Sequence, residues 1–121
     1  MMPEGLSFSL RVSLRRSEKF FGPGVASLLR LVERTGSLQT AAAEMQMSYS
    51  KAWKIIRKAE GELGFPLMER RVGGAGGGSS SVTAGGKRFL ERYERFRQEV
   101  QDAAQRLFTE CFEGGDTNET D

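Results

Sequence analysis

Apolar and polar residues change their period along this chain, and the changes mark out its elements. Leu6, Phe8, Leu10, Val12 and Leu14 alternate with Ser7, Ser9, Arg11 and Ser13. That period of two predicts a half-buried strand over 6–14. Gly22-Pro23-Gly24 interrupts the chain, and Val25, Leu28, Leu29 and Val32 follow at helical spacing. Gly36 is placed to end this helix in a left-handed turn. Ser37 caps a second, short helix through Ala41-Ala42-Ala43-Glu44, and Met45-Gln46-Met47 has length only for a turn. Ser48 caps a third helix that ends near residue 63, ahead of Gly64 and Pro66. Residues 67–72 and 82–83 predict the two strands of an antiparallel hairpin. Gly73-Gly74-Ala75-Gly76-Gly77-Gly78 and Ser79-Ser80-Ser81 between them predict a mobile loop at its tip. One long helix follows from Ala84 to about Phe112, with Thr83 as its cap. Its apolar residues Phe89, Tyr93, Phe96, Val100, Ala103 and Leu107 recur at alternating spacings of four and three, an a/d seam.

The order strand, three helices, hairpin, long helix predicts a mainly α fold with a small β-sheet. A winged helix-turn-helix with a long C-terminal dimerisation helix has this order, and so do other small α+β folds. The organisation expected is an N-terminal tail over 1–5, the winged domain over 6–83, the dimerisation helix over 84–112 and a disordered acidic tail over 113–121.

Composition narrows the function. A chain of 121 residues, 38% of them hydrophobic, suits one domain with one core. No apolar run approaches a membrane span, and the first residues carry no leader pattern, so a cytoplasmic location away from membranes is expected. The chain has no histidine and one cysteine, Cys111. An internal disulfide is therefore ruled out, and the usual zinc ligand sets and Ser-His or Cys-His pairs cannot be assembled. No metal, cofactor or catalytic function is expected. All 18 basic side chains lie within 1–108, whereas 109–121 hold Glu110, Glu113, Asp116, Glu119 and Asp121 and no base. A basic body with a short acidic tail fits a polyanion partner.

The third helix says where that partner would bind. At 3.6 residues per turn, Ala52, Ile56, Ala59 and Leu63 form one stripe with Trp53 and Ile55 beside it. Ser50, Lys51, Lys54, Arg57 and Lys58 fall on the opposite side. Such a helix enters a major groove with its donors toward phosphates and base edges, and its N-terminus favours a phosphate. Arg70 and Arg71, at the foot of the glycine-rich loop, are placed to touch backbone or minor groove. That loop is not a nucleotide-binding P-loop. Gly86-Lys87 has Ser81 where the motif needs glycine and Arg88 where it needs Ser or Thr.

The run Gly36-Ser37, Ala41-Ala42 and Met47-Ser48-Tyr49-Ser50-Lys51-Ala52-Trp53 continues with Leu63-Gly64-Phe65-Pro66-Leu67. Glu69-Arg70-Arg71-Val72 and the glycines then complete it. Together these segments resemble the N-terminal domain of the ModE-type molybdate-responsive regulators, whose helix-turn-helix is related to that of LysR-type regulators. The resemblance covers about residues 6–108. It implies a dimeric transcription factor in which Ser48, Tyr49, Ser50, Lys51 and Lys54 meet double-stranded DNA. Where the family has Thr-Pro-x-Gly after the wing, this chain has Thr83-Ala84-Gly85-Gly86, which predicts a softer start to the long helix. The expectation is a sequence-specific, homodimeric regulator of ModE type without the molybdate-binding domain. Any oxyanion response would then come from a separate effector-binding protein. Dimerisation is assigned to Phe89, Tyr93, Phe96, Val100 and Leu107. The alternative is a protein-interaction module of a regulatory complex with weak or no DNA binding.

Overall fold

A glycine-bounded helix opens the domain. In the computed structural model, which describes residues 4–71 and 78–113, α1 spans Pro23–Thr35. Pro23 stands in its first turn, where a missing N–H costs no hydrogen bond. At the other end Gly36 adopts φ +72° and donates its N–H to Val32 O at 2.8 Å, a left-handed cap that a side chain would strain. Two further helices follow without a break in capping. The Ser37 hydroxyl accepts from Thr40 N at 3.0 Å to start α2, Leu38–Glu44. The Ser48 hydroxyl accepts from Lys51 N at 3.0 Å to start α3, Tyr49–Leu63. The turn between them puts Gln46 at φ +59° and returns Met47 N to Ala42 O at 3.0 Å.

The core is the meeting of these three helices. Leu28, Leu29 and Val32 of α1, Leu38, Ala41 and Ala42 of α2, and Ala52, Ile56 and Ala59 of α3 are all essentially inaccessible to solvent. Four of these nine side chains are alanines, which lets the helix backbones approach closely.

Two short hairpins frame the helices. β1, Leu14–Arg15, pairs antiparallel with β2, Lys19–Phe21. The strand expected over 6–14 therefore survives only at its last residue. Residues 6–13 lie along the long C-terminal helix: the Phe8 and Phe108 rings are 5.2 Å apart, and Tyr93 OH donates to Val12 O at 2.8 Å. Of the alternating apolar residues, Phe8, Val12 and Leu14 are half-buried, Phe8 against the long helix rather than within a strand, while Leu6 and Leu10 stay exposed. β2 gave no periodic signal because three residues are too few.

The second hairpin pairs β3, Met68–Arg71, with β4, Ser79–Val82, in the register Met68↔Val82 to Arg71↔Ser79. Ser79, Ser80 and Ser81 are thus strand, not loop. Their hydroxyl side chains carry no alternation, and the ladder to β3 makes them a strand. Residues 73–77 of the expected mobile loop, the last residue of the expected strand over 67–72, and most of the expected disordered tail, over 114–121, lie outside the described residues. Ser80 N donates to Gly36 O at 2.8 Å, which fastens β4 to the end of α1.

The last helix, α4, spans Ala84–Phe112, capped by the Thr83 hydroxyl accepting from Gly86 N at 2.9 Å. A Cβ on Gly86 would run into Leu67 O and lie 2.9 Å from Val82 Cγ1, so the helix begins in contact with β3 and β4. Leu90 and Tyr93 are buried, and Phe21 meets the Phe89 and Tyr93 rings edge-on at 4.9 and 5.0 Å. Burial pushes the Tyr93 phenol above its usual pKa. Tyr93 is therefore spent on the domain's own core and leaves the expected dimer seam, and Phe89 is half-buried against the same core. Phe96 and Leu107 remain 52% and 58% exposed. Arg30 pairs with Glu94, joining α1 to α4, although a partly exposed pair contributes at most about 1 kcal/mol.

Two glycines should respond oppositely to alanine. Gly61, inside α3, has nothing within 4 Å of a built Cβ, so Gly61→Ala should stabilise by about 0.5–1 kcal/mol. Gly86→Ala should destabilise by roughly 1–3 kcal/mol through overpacking. Urea unfolding midpoints of the two variants check both signs.

Candidate nucleic-acid interface

The apolar stripe of α3 decides which side chains reach solvent. With Ala52, Ile56 and Ala59 buried, Ser50, Lys51, Lys54, Arg57 and Lys58 are all exposed. Ser48 and Tyr49 stand at the helix start, where Tyr49 is 39% exposed. The free amides of that first turn and the positive end of the helix dipole point the same way. Ser48, Tyr49, Ser50, Lys51 and Lys54 thus form one continuous outward surface.

The wing joins this surface through β3. Glu60, on the inner side of α3, accepts from Leu67 N at 2.8 Å and Met68 N at 3.2 Å, fixing the start of β3 to the helix. The Arg70 guanidinium consequently lies over the α3 aromatics, 5.0 Å from the Trp53 ring centroid and 5.9 Å from that of Tyr49. A polar cleft of about 290 Å³ opens between the starts of α2 and α3 and the wing. It is lined by Ser37, Gln39, Tyr49, Arg70, Ser79 and Ser80 among others. Ser37, Gln39, Ser79 and Ser80 were not among the DNA-contacting residues expected from sequence. No periodicity marks them, because tertiary packing alone brings the α2 start beside the wing.

The remaining basic residues behave differently from one another. Arg57 sits 5.3 Å from the Trp53 centroid and 4.0 Å from Glu60. Lys58 turns away from the group and donates to Glu18 at 2.7 Å, in the turn between β1 and β2. Arg71 ends β3 opposite Ser79, beside the undescribed segment. Lys58 is therefore neutralised by a neighbour rather than standing open like Lys51 and Lys54. Among the described residues no group of three or more His, Cys, Asp or Glu is placed to hold a metal ion. No helix there is long and apolar enough to cross a membrane.

Comparison with known proteins gives this arrangement a context. Residues 26–87, from α1 through the wing to the start of α4, match the family described as bacterial regulatory helix-turn-helix protein, lysR family. The chain is 36% identical over 91 residues to the molybdenum transport protein ModE of Azotobacter vinelandii, covering 74% of this chain and 34% of that protein. It is 32% identical over 93 residues to the DNA-binding transcriptional dual regulator ModE of Escherichia coli, covering 76% of this chain and 36% of that protein. The chain thus spans about a third of the length of these curated relatives. Among solved structures, the CbnR DNA-binding domain in complex with DNA superposes with a TM-score of 0.56 at 22% identity. That match covers 73% of this chain and 95% of the other. It supports the winged helix-turn-helix fold.

The Glu18–Lys58 pair has a pH signature. The hydrogen bond and charge of Lys58 hold the Glu18 carboxyl below its usual value of 4.5. Its contribution to stability is thus complete above that usual value and is lost as pH falls through the lowered one. Carbon-detected NMR titration of Glu18 should show the depressed midpoint, and Lys58→Ala should restore the ordinary one.

Proposed function

The chain belongs to the LysR family of bacterial regulatory helix-turn-helix proteins, and from that premise we propose that it is a sequence-specific, homodimeric transcriptional regulator of ModE type. Its DNA-binding surface is the outward face of α3 together with the wing. The observation that carries the proposal is the joint exposure of Lys51 and Lys54 with the capped start of α3, beside Arg70 of the wing. Lys51 and Lys54 supply donors to phosphate and base edges, and the Ser48–Ser50 turn supplies amides and hydroxyls. Arg70 and Arg71 reach the backbone beside the groove that α3 occupies. The partner is double-stranded DNA, which this helix geometry fits as a single protruding rod.

Dimerisation follows from the second half of α4. Phe96 and Leu107 are more than half exposed, Val100 and Ala103 half-buried, and all four share one strip. Apolar side chains this large in one row mark an interface. An antiparallel pair centred between Val100 and Ala103 sets Phe96 against the partner subunit's Leu107. It also brings Glu99 near the partner subunit's Arg106, an opposite-charge pair across the seam. Leu6 and Leu10, 38% and 46% exposed, add open apolar side chains in the segment whose Phe8 ring packs on Phe108 of α4. A two-fold dimer of this kind reads a pseudo-palindromic site.

Binding to DNA selected from a random pool, followed by fluorescence anisotropy against salt, should give a steep log–log dependence of about 0.9 per neutralised phosphate. Lys54→Glu should weaken binding more than tenfold with the fold intact, and Glu18→Gln should free Lys58 and steepen the slope by up to about 0.9. An unchanged affinity in Lys54→Glu would remove α3 as the reading helix.

Phe96→Glu, with Leu107→Glu as a second variant, should convert dimers to monomers in light scattering at micromolar concentration. A dimer that survives both changes places the interface elsewhere.

A further inference from the structure

Trp53 is the only tryptophan in the chain, and it lies half-buried on the flank of the α3 stripe. Two guanidinium groups converge on its ring from different elements. Arg57 approaches from the next turn of α3, 5.3 Å from the centroid, and Arg70 from β3, 5.0 Å away. Both arginines are exposed, and among the described residues Arg70 forms no ion pair that would hold it in place. An indole face attracts a guanidinium through its quadrupole, and arginine stacks on it with its donors still directed outward. A long side chain left loose must instead be ordered when it binds, at a cost in rotamer entropy. Trp53, Arg57 and Glu60 follow one another along α3 at spacings of four and three, so the residue that anchors β3 and the residue that gathers the arginines share one helix edge.

We infer that Trp53 is a positioning residue for DNA recognition. Its ring holds Arg57 of α3 and Arg70 of the wing as a preordered pair of cations, so that helix and wing engage DNA as one unit. This role rests on the DNA-binding proposal above. Trp53 itself contacts no DNA; it acts through the two arginines.

A double-mutant cycle tests the coupling. Trp53→Met keeps an apolar side chain in the space and removes the π face. In the unsubstituted protein Arg70→Ala should weaken binding to a selected DNA about tenfold; in the Trp53→Met background the same change should cost only about two- to threefold. Trp53→Phe should retain most of the coupling. Equal fold-losses in the two backgrounds overturn the role, because a purely structural Trp53 would lower affinity without touching the effect of Arg70. Should Trp53→Met fail to fold by circular dichroism, the emission of Trp53 in the DNA-free protein decides. Arg70→Ala should shift that emission, and Arg71→Ala should leave it unchanged; no shift with Arg70→Ala overturns the stack. If the unsubstituted protein selects no DNA, the DNA-binding proposal falls and this role with it. An additive cycle in a protein that does bind removes the role of Trp53 alone.

Discussion

Burial of the α3 stripe against α1 and α2 is the constraint on which the remainder of the structure depends. Ala52, Ile56 and Ala59 must leave water together, and on one helix they can do so only by turning the opposite face outward. That face carries Ser50, Lys51, Lys54 and Arg57. Each of these would be costly to bury unpaired, so the core and the basic surface specify the same rotation of the helix. The alanines of α2 matter for a related reason. Ala41 and Ala42 are small and fully buried, which lets α2 and α3 pack closely.

The wing is held at its base by both apolar and polar contacts: Leu67, Met68 and Val82 are buried in the core. One carboxylate, Glu60, accepts two amides at the start of β3, and Ser80 donates to the carbonyl at the end of α1. Both are bonds to backbone, and together with the burial of Met68 and Val82 they fix the position of the hairpin. The outward residues of β3 and β4 are thereby released for recognition, as are the hydroxyls of Ser79 and Ser80 along the cleft. Electrostatics then sorts the basic groups. Lys58 is bound by Glu18 and Arg57 lies near Glu60, while Lys51 and Lys54 face solvent.

The long helix divides its labour along its length. Up to Tyr93 it belongs to the domain core, through Gly86, Leu90 and the aromatic contacts with Phe21. Beyond that point Phe8 packs on Phe108, while Phe96 and Leu107 stay open.

Much of this was legible in the residues themselves. The three serine and threonine caps at Ser37, Ser48 and Thr83, the left-handed stop at Gly36 and the outward basic face of α3 are local or periodic features. Capping is a bond between residues three apart, and a helical face repeats every 3.6 residues, so the sequence carries both directly. The wing strands were placed in part, with Ser79–Ser81 missed because a run of serines has no alternation. Only the tertiary structure decided the rest. An alternating segment states that one side is apolar but does not name its cover; at Phe8 the cover is α4, while Leu6 and Leu10 stay exposed. A heptad seam states which residues share a face but not which molecule buries them, and Phe21 claims Tyr93 before any partner can. The joining of Arg70 to Trp53, of Lys58 to Glu18 and of the α2 start to the wing spans long stretches of chain. Contacts of that kind follow from how the elements pack, and no local pattern encodes them.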